Sequence, residues 1–141
     1  MSAALNIQSP PYLDADAKLF RASFDNRPFA FRHRLASHPL FELPRLYELV
    51  REMSKIPDEV YFDAGEVRVD QRWDQVPLSQ MSVTEAMQRI ETAGAWIIVR
   101  HAERDPAYGR LLDECMAEAE ALAGRKFRQE MERQHAIIFI T

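Results

Sequence analysis

The run Ala136-Ile137-Ile138-Phe139-Ile140-Thr141 constrains this chain more than any other stretch of it. Its residues are apolar without a break, lacking the polar–apolar alternation of a strand that has one wet face, so it reads as a strand covered on both faces. Such a strand needs neighbours on either side and chain to carry on from it. The expectation is that these 141 residues are the front part of a larger fold, with no complete catalytic or ligand-binding constellation of their own.

Composition sets the class. With 47% hydrophobic residues, 28% charged and only 4 Gly and 8 Pro, the chain is of the globular and not the disordered type. A chain of this size can bury about two-thirds of its unfolded surface. Eighteen Lys and Arg against 22 Asp and Glu leave a net charge of -4, which supplies no general field for a phosphate backbone, so nucleic acid is not expected as a partner. The N-terminus, Met1 to Lys18, lacks the basic start and apolar run of a secretory signal. The longest apolar runs, Ala95 to Val99 and Ala136 to Ile140, fall far short of the roughly 20 residues that cross a bilayer. The single Cys115 excludes an internal disulfide and makes no thiolate metal cage by itself. A cytoplasmic location without a membrane partner follows.

No linker or repeat divides the sequence, so residues 1–141 read as a single unit. Asp14 to Phe24 reads as a short helix capped by Asp14 or Asp16, and Pro28 to Leu35 alternates like a half-buried strand. From Leu43 to Met53 the apolar residues Leu43, Leu46, Tyr47, Val50 and Met53 recur at helical spacing, with Pro44 in the first turn. Val60-Tyr61-Phe62 and Val67-Arg68-Val69 flank a turn at Gly65 and suggest a hairpin, or two extended pieces joined by a bend. Ser82-Val83-Thr84-Glu85 is a capping box, followed by the stripe Val83, Ala86, Met87 and Ile90 and a stop at Gly94. A buried strand, Ala95 to Val99, comes next. Asp105-Pro106 then starts a helix whose stripe Tyr108, Leu111, Leu112, Cys115, Ala119 and Leu122 runs to Gly124. The sum is a mixed α+β fold with Trp96, Ile98, Leu111, Leu112, Ile138 and Ile140 among its core.

Residues that carry chemistry are present without converging. His33 and His38 are five apart on a strand and its bend, and His101 and His135 stand alone at strand ends, so no two have the spacing that sets a pair of imidazoles on one helix face. They read as ordinary histidines, and no residue is assigned as catalytic or as a metal ligand. Glu114 and Glu118 lie one turn apart and could form an acid–base pair, but they fall on the side opposite Leu111 and Cys115, so a solvated helix face explains them without any site. Cys115, within the apolar stripe, reads as a small hydrophobe. Between Phe20 and Arg34, Arg21, Arg27, Arg32 and Arg34 interleave with Phe20, Phe24, Phe29 and Phe31. Such a face can bind an anion or stack bases, and equally describes an amphipathic segment with aromatics inward. The isolated Gly65, Gly94, Gly109 and Gly124 make no phosphate loop.

Taken in order, several anchors resemble a family. They are Phe24-Asp25-Asn26-Arg27-Pro28-Phe29 with Arg32-His33, His38-Pro39-Leu40-Phe41, Val60-Tyr61-Phe62-Asp63-Ala64-Gly65, Gly94-Ala95-Trp96-Ile97-Ile98-Val99-Arg100-His101, Asp105-Pro106-Ala107-Tyr108 and Ile137-Ile138-Phe139-Ile140-Thr141. Over nearly its whole length the chain resembles the N-terminal half of bacterial cupin-like proteins of the jumonji-C type. The resemblance implies the N-terminal part of a double-stranded β-helix, its barrel incomplete here, in a superfamily whose barrels often hold Fe(II) and 2-oxoglutarate for oxygenase chemistry. It implies that the family's metal motif, a His and an acidic residue two positions later with a distant second His, lies beyond Thr141. No residue of this chain then inherits a ligand role, and the chain alone carries no cofactor and is catalytically silent. The rival expectation is a non-enzymatic interaction or regulatory module that uses the strand Ile137 to Ile140, for self-association or another partner, or the Arg/Phe face.

Overall fold

A computed structural model describes residues 10–63, 82–92 and 94–141. The described chain is mixed α+β, with helices α1 (Ala17–Ser23), α2 (Leu43–Met53), α3 (Val83–Arg89) and α4 (Pro106–Ala123). Its strands are β1 (Leu13–Asp14), β2 (Arg32–His33), β3 (Val60–Asp63), β4 (Trp96–Val99) and β5 (Ile138–Ile140). These form two antiparallel sheets, β1-β2 and β3-β4-β5, and among the described residues neither closes into a barrel. The expected strand Val67-Arg68-Val69 and the turn at Gly65 lie outside the described residues. The chain divides into two compact units, residues 1–38 with 113–132 and residues 39–112 with 133–141.

Helix starts follow local chemistry. The Asp16 carboxylate accepts the Leu19 N–H at 2.7 Å and opens α1. Ser82 and Glu85 form the reciprocal capping box of α3, the Ser82 hydroxyl accepting the Glu85 N–H at 3.2 Å and the Glu85 carboxylate accepting the Ser82 N–H at 2.8 Å. Pro44 lies in the first turn of α2, and Asp105 Oδ1 accepts the Ala107 N–H at 2.9 Å where α4 begins.

In the second unit, α2 and α3 seal one face of the β3-β4-β5 sheet. The core gathers Leu46, Leu49, Val50 and Met53 from α2, Ala86 and Ile90 from α3 and its end, and Ile97, Val99 and Ile140 from the sheet, joined by Tyr108. The Tyr108 hydroxyl donates to the Leu40 carbonyl at 2.6 Å, which satisfies its one polar atom. Strand register places Val60, Val99 and Ile138 in one row, and Phe62, Ile97 and Ile140 in another, on the sealed side. Tyr61, Ile98 and Phe139 form the intervening row on the opposite face.

Three expectations are corrected here. Trp96 and Ile98 are only half-buried, whereas Ile97 and Val99 are 0% exposed, because an uninterrupted apolar run has no phase from which to read the inward face. Leu112 is also half-buried, Ile138 is half-buried but packs against the core, and Leu111 and Ile140 are buried as expected. The last strand is not covered on both faces. Among the described residues it sits at the sheet edge, with Ile140 5% and Phe139 66% exposed. The strand expected over Pro28 to Leu35 shrinks to the two-residue ladder of Arg32–His33 on Leu13–Asp14.

The first unit is organised by aromatic rings. Phe20 is buried against Phe24 and Phe29, with ring centroids 5.4 and 5.1 Å apart, and Phe24 meets Phe127 at 4.9 Å. Met116, Ala119, Leu122 and Ala123 of α4 complete this cluster. Glu120, 3% exposed, points into the unit and is held by the Arg128 N–H at 2.9 Å and by the Arg128 guanidinium at 3.0 Å. A buried carboxylate is tolerated only with partners of this kind. Gly124 adopts φ +72 at the end of α4, where a Cβ would stand 2.7 Å from Nε of Arg21.

Candidate functional site

The densest cluster of chemically capable side chains lies in the second unit, just past the end of β4. Arg100 N–H donates to the Glu59 carbonyl at 2.8 Å, the last bond between this strand and its neighbour. His101 then takes left-handed backbone angles, φ 47 and ψ 44, and the 3-10 turn Ala102–Arg104 follows. A non-glycine residue pays about 1 to 2 kcal/mol for that conformation, so its surroundings must hold it there. They do so from both sides: the Ala102 N–H donates to the Ala136 carbonyl at 2.9 Å, and His101 Nδ1 lies 2.7 Å from Oε2 of Glu59.

Glu59 is 5% exposed, and its other oxygen meets Arg104 at 3.2 Å. One residue before that arginine, Glu103 reaches the opposite way. Its Oε1 lies 2.9 Å from His135 Nδ1, and its Oε2 accepts the Ala136 N–H at 2.8 Å. Burial pushes the Glu103 carboxyl up, but the Ala136 N–H and His135 outweigh it and hold the group below the ordinary carboxylate range. The two imidazoles meet edge to face with centroids 4.5 Å apart and planes at 82°. The arrangement is thus two carboxylate–imidazole pairs in contact through their rings.

These are the histidines that looked solitary in the sequence. One local signal was there: His101-Ala102-Glu103 has a carboxylate two residues after a histidine. That spacing does not make a His-and-acid metal triad, because both Glu103 oxygens are engaged by His135 and Ala136. Among the described residues no group of three or more His, Cys, Asp and Glu side chains is arranged to hold a metal ion.

The remaining candidates belong to the first unit and are occupied structurally. His33 Nδ1 accepts the Leu35 N–H at 3.2 Å, and the His38 ring lies edge-on to Tyr12 with centroids 5.6 Å apart. Glu118, expected on a solvated face, instead receives the Tyr12 and Leu13 N–H groups on its two oxygens at 2.9 and 2.8 Å. Glu114 is exposed. Burial pushes the Tyr12 hydroxyl up, assisted by its hydrogen bond to Glu114. Cys115 is half-buried, and burial followed by Glu118 and Glu114 pushes its thiol up, the reverse of what a nucleophile needs. Of the Arg/Phe face, the rings turn on one another while Arg34 binds Asp14 at 3.3 Å and the Pro11 carbonyl at 2.8 Å.

A second surface is the face of β3-β4-β5 away from the helices. The row Tyr61, Ile98 and Phe139 crosses all three strands, and exposed Ile137 and half-buried Trp96 extend the apolar area. Antiparallel ladders alternate between bonded and non-bonded pairs. Because Arg100 and Glu59 are a bonded pair, Ile98 turns its backbone groups to β3 and Ile97 and Val99 turn theirs to β5. On β5, Ile138 and Ile140 therefore face β4, and the Phe139 N–H and C=O point to the other side, where no strand among the described residues pairs. No helix among the described residues is long and apolar enough to cross a membrane. No protein-family model matches the chain, and comparison with the curated proteins and with the solved structures gives no match either.

Proposed function

We propose that this chain is the N-terminal portion of a cupin-like protein of the jumonji-C type, whose complete form is an Fe(II)- and 2-oxoglutarate-dependent oxygenase with its metal ligands beyond Thr141. The observation that supports this reading best is the β3-β4-β5 sheet. One face is sealed by α2 and α3, the other carries the apolar row Tyr61, Ile98 and Phe139, and among the described residues β5 stands at the edge. A barrel sheet whose outer face is covered by helices is apolar on both faces and has an edge to which further strands add. On this reading residues 10–141 are scaffold and the chain alone is silent. Reading the DNA past the Thr141 codon tests it. An open frame encoding His-x-Asp or His-x-Glu, in a longer product that binds Fe(II) anaerobically in a 2-oxoglutarate-dependent way, is the expected result. A stop codon directly after Thr141, or a frame without that motif, removes the reading.

The outer side of β5, unpaired among the described residues, favours a second reading, a non-enzymatic interaction module that associates with another copy of itself through Ile137 to Ile140. An edge strand without charge, proline or bulge is a template for another strand. Sedimentation velocity from 1 to about 100 micromolar, a range spanning ordinary protein–protein affinities, then shows a concentration-dependent dimer that Phe139→Lys abolishes. A chain that stays monomeric throughout sinks this second reading and leaves the first intact.

A further inference from the structure

The carboxylate-anchored histidines satisfy a chemical requirement that neither reading above uses. We propose that His101 and His135 together form a site for one divalent transition-metal ion of the zinc, nickel and copper group, with water completing the shell and Glu59 and Glu103 holding the imidazoles from behind.

Nδ1 of each ring lies against a carboxylate oxygen, at 2.7 Å in His101 and 2.9 Å in His135. In a neutral imidazole that contact puts the proton on Nδ1 and leaves the Nε2 lone pair for a ligand, the usual support behind a metal-binding histidine. Two imidazoles bound through nitrogen at about 2.0–2.1 Å on adjacent corners of a coordination shell have ring centroids about 4.5 to 5 Å apart. The rings of His101 and His135 stand with centroids 4.5 Å apart, within that range. Both carboxylates are themselves fixed, Glu59 by Arg104 and Glu103 by the Ala136 N–H, so the rings are oriented before an ion arrives. The residue whose backbone turns left-handed at the end of β4 is thus the one whose ring meets His135.

The ligand count selects the ion. Two imidazoles with no carboxylate or thiolate in the first shell suit borderline ions and not the oxygen-seeking Mg(II) or Ca(II), and they rank Cu(II) above Zn(II) and Zn(II) above Mn(II). The His101 and His135 side chains are 23% and 42% exposed, so an ion reaches them without opening the core.

The test is calorimetric titration of the folded chain with CuSO4, ZnCl2 and MgCl2 in a non-chelating buffer, together with side-chain nitrogen NMR of the wild type. The expected result is one saturable site, tighter for Cu(II) than Zn(II) and absent for Mg(II), with Cu(II) broadening confined to the His101 and His135 rings. His101→Ala or His135→Ala abolishes the site. Glu103→Gln, which keeps both rings, weakens it by about 10- to 100-fold. The NMR result needs no variant and stands even if an alanine variant fails to fold. Absence of saturable binding, broadening centred on His33, His38 or Cys115, or binding that survives in a folded His101→Ala/His135→Ala variant overturns the proposal.

Discussion

Ile98 and Phe139 face each other across β4 and β5 and both point away from the sealed core, while the adjacent pair Ile97 and Ile140 points into it. Neighbours on a single strand should therefore differ sharply in what they contribute. Ile140→Ala is expected to cost about 2 to 4 kcal/mol through lost burial and the cavity left behind. Phe139→Ala should stay within about 0.5 kcal/mol, as for other exposed positions. Urea denaturation of both variants decides it, and equal costs would mean that β5 is turned over.

Gly109 occupies the first turns of α4, where replacement by alanine ordinarily gains up to about 1 kcal/mol. Here a Cβ would stand 2.8 Å from the Glu103 carbonyl oxygen, a backbone atom that cannot swing aside. Gly109→Ala should therefore destabilise the protein, by about 1 to 3 kcal/mol as overpacked sites do. A raised thermal midpoint would show that the turn carrying Glu103 yields easily.

Glu118 is the anchor of the segment around β1. Its truncation leaves the part-buried N–H groups of Tyr12 and Leu13 without their acceptor, at a cost of about 1 to 3 kcal/mol. Glu114→Ala, on the exposed side, should cost less. Chemical denaturation of the two variants measures the difference, and faster amide exchange at Tyr12 and Leu13 in Glu118→Ala would localise it.

Acid should destabilise the protein in a defined window. Glu103, Asp105 and Glu120 are all held below their ordinary values, 4.5 for the glutamates and 3.8 for the aspartate. In Glu120 the Arg128 N–H is the main cause. In Glu103 and Asp105 burial acts upward and is outweighed, by the Ala136 N–H and His135 in the first and by Arg45 and the Ala107 N–H in the second. A carboxyl depressed on folding stabilises above its unfolded pKa, and that contribution is lost as pH falls through the folded value. The thermal midpoint should thus hold steady down to about pH 4.5 and drop below it. Glu103→Gln and Asp105→Asn should each flatten the acid limb. A midpoint independent of pH between 5 and 3 would contradict these contacts.

How much of this was legible in advance depended on whether each element had punctuation. Helices α2, α3 and α4 start where Pro44, the Ser82–Glu85 box and Asp105-Pro106 said they would, and α4 stops before Gly124, because caps and apolar period agree, whereas α3 ends at Arg89, short of the stop expected at Gly94. Strand β4 was legible as a strand but not in its phase, since Trp96, Ile97, Ile98 and Val99 are all apolar. The role of Glu118 was hidden because its partners are backbone amides of a distant segment. His101 meets His135 from a left-handed turn at a residue that is not glycine, and no local pattern announces either.

The alternation of backbone groups along β5 also separates neighbouring amides in time. Ile138 and Ile140 turn their N–H groups to β4 and can exchange with solvent deuterium only when the sheet parts there. Phe139, with its N–H directed at the side where no described strand pairs, exchanges without the sheet parting there. One three-residue strand thus records two clocks, and the slowing of the Phe139 amide alone would report that something had come to lie along that edge.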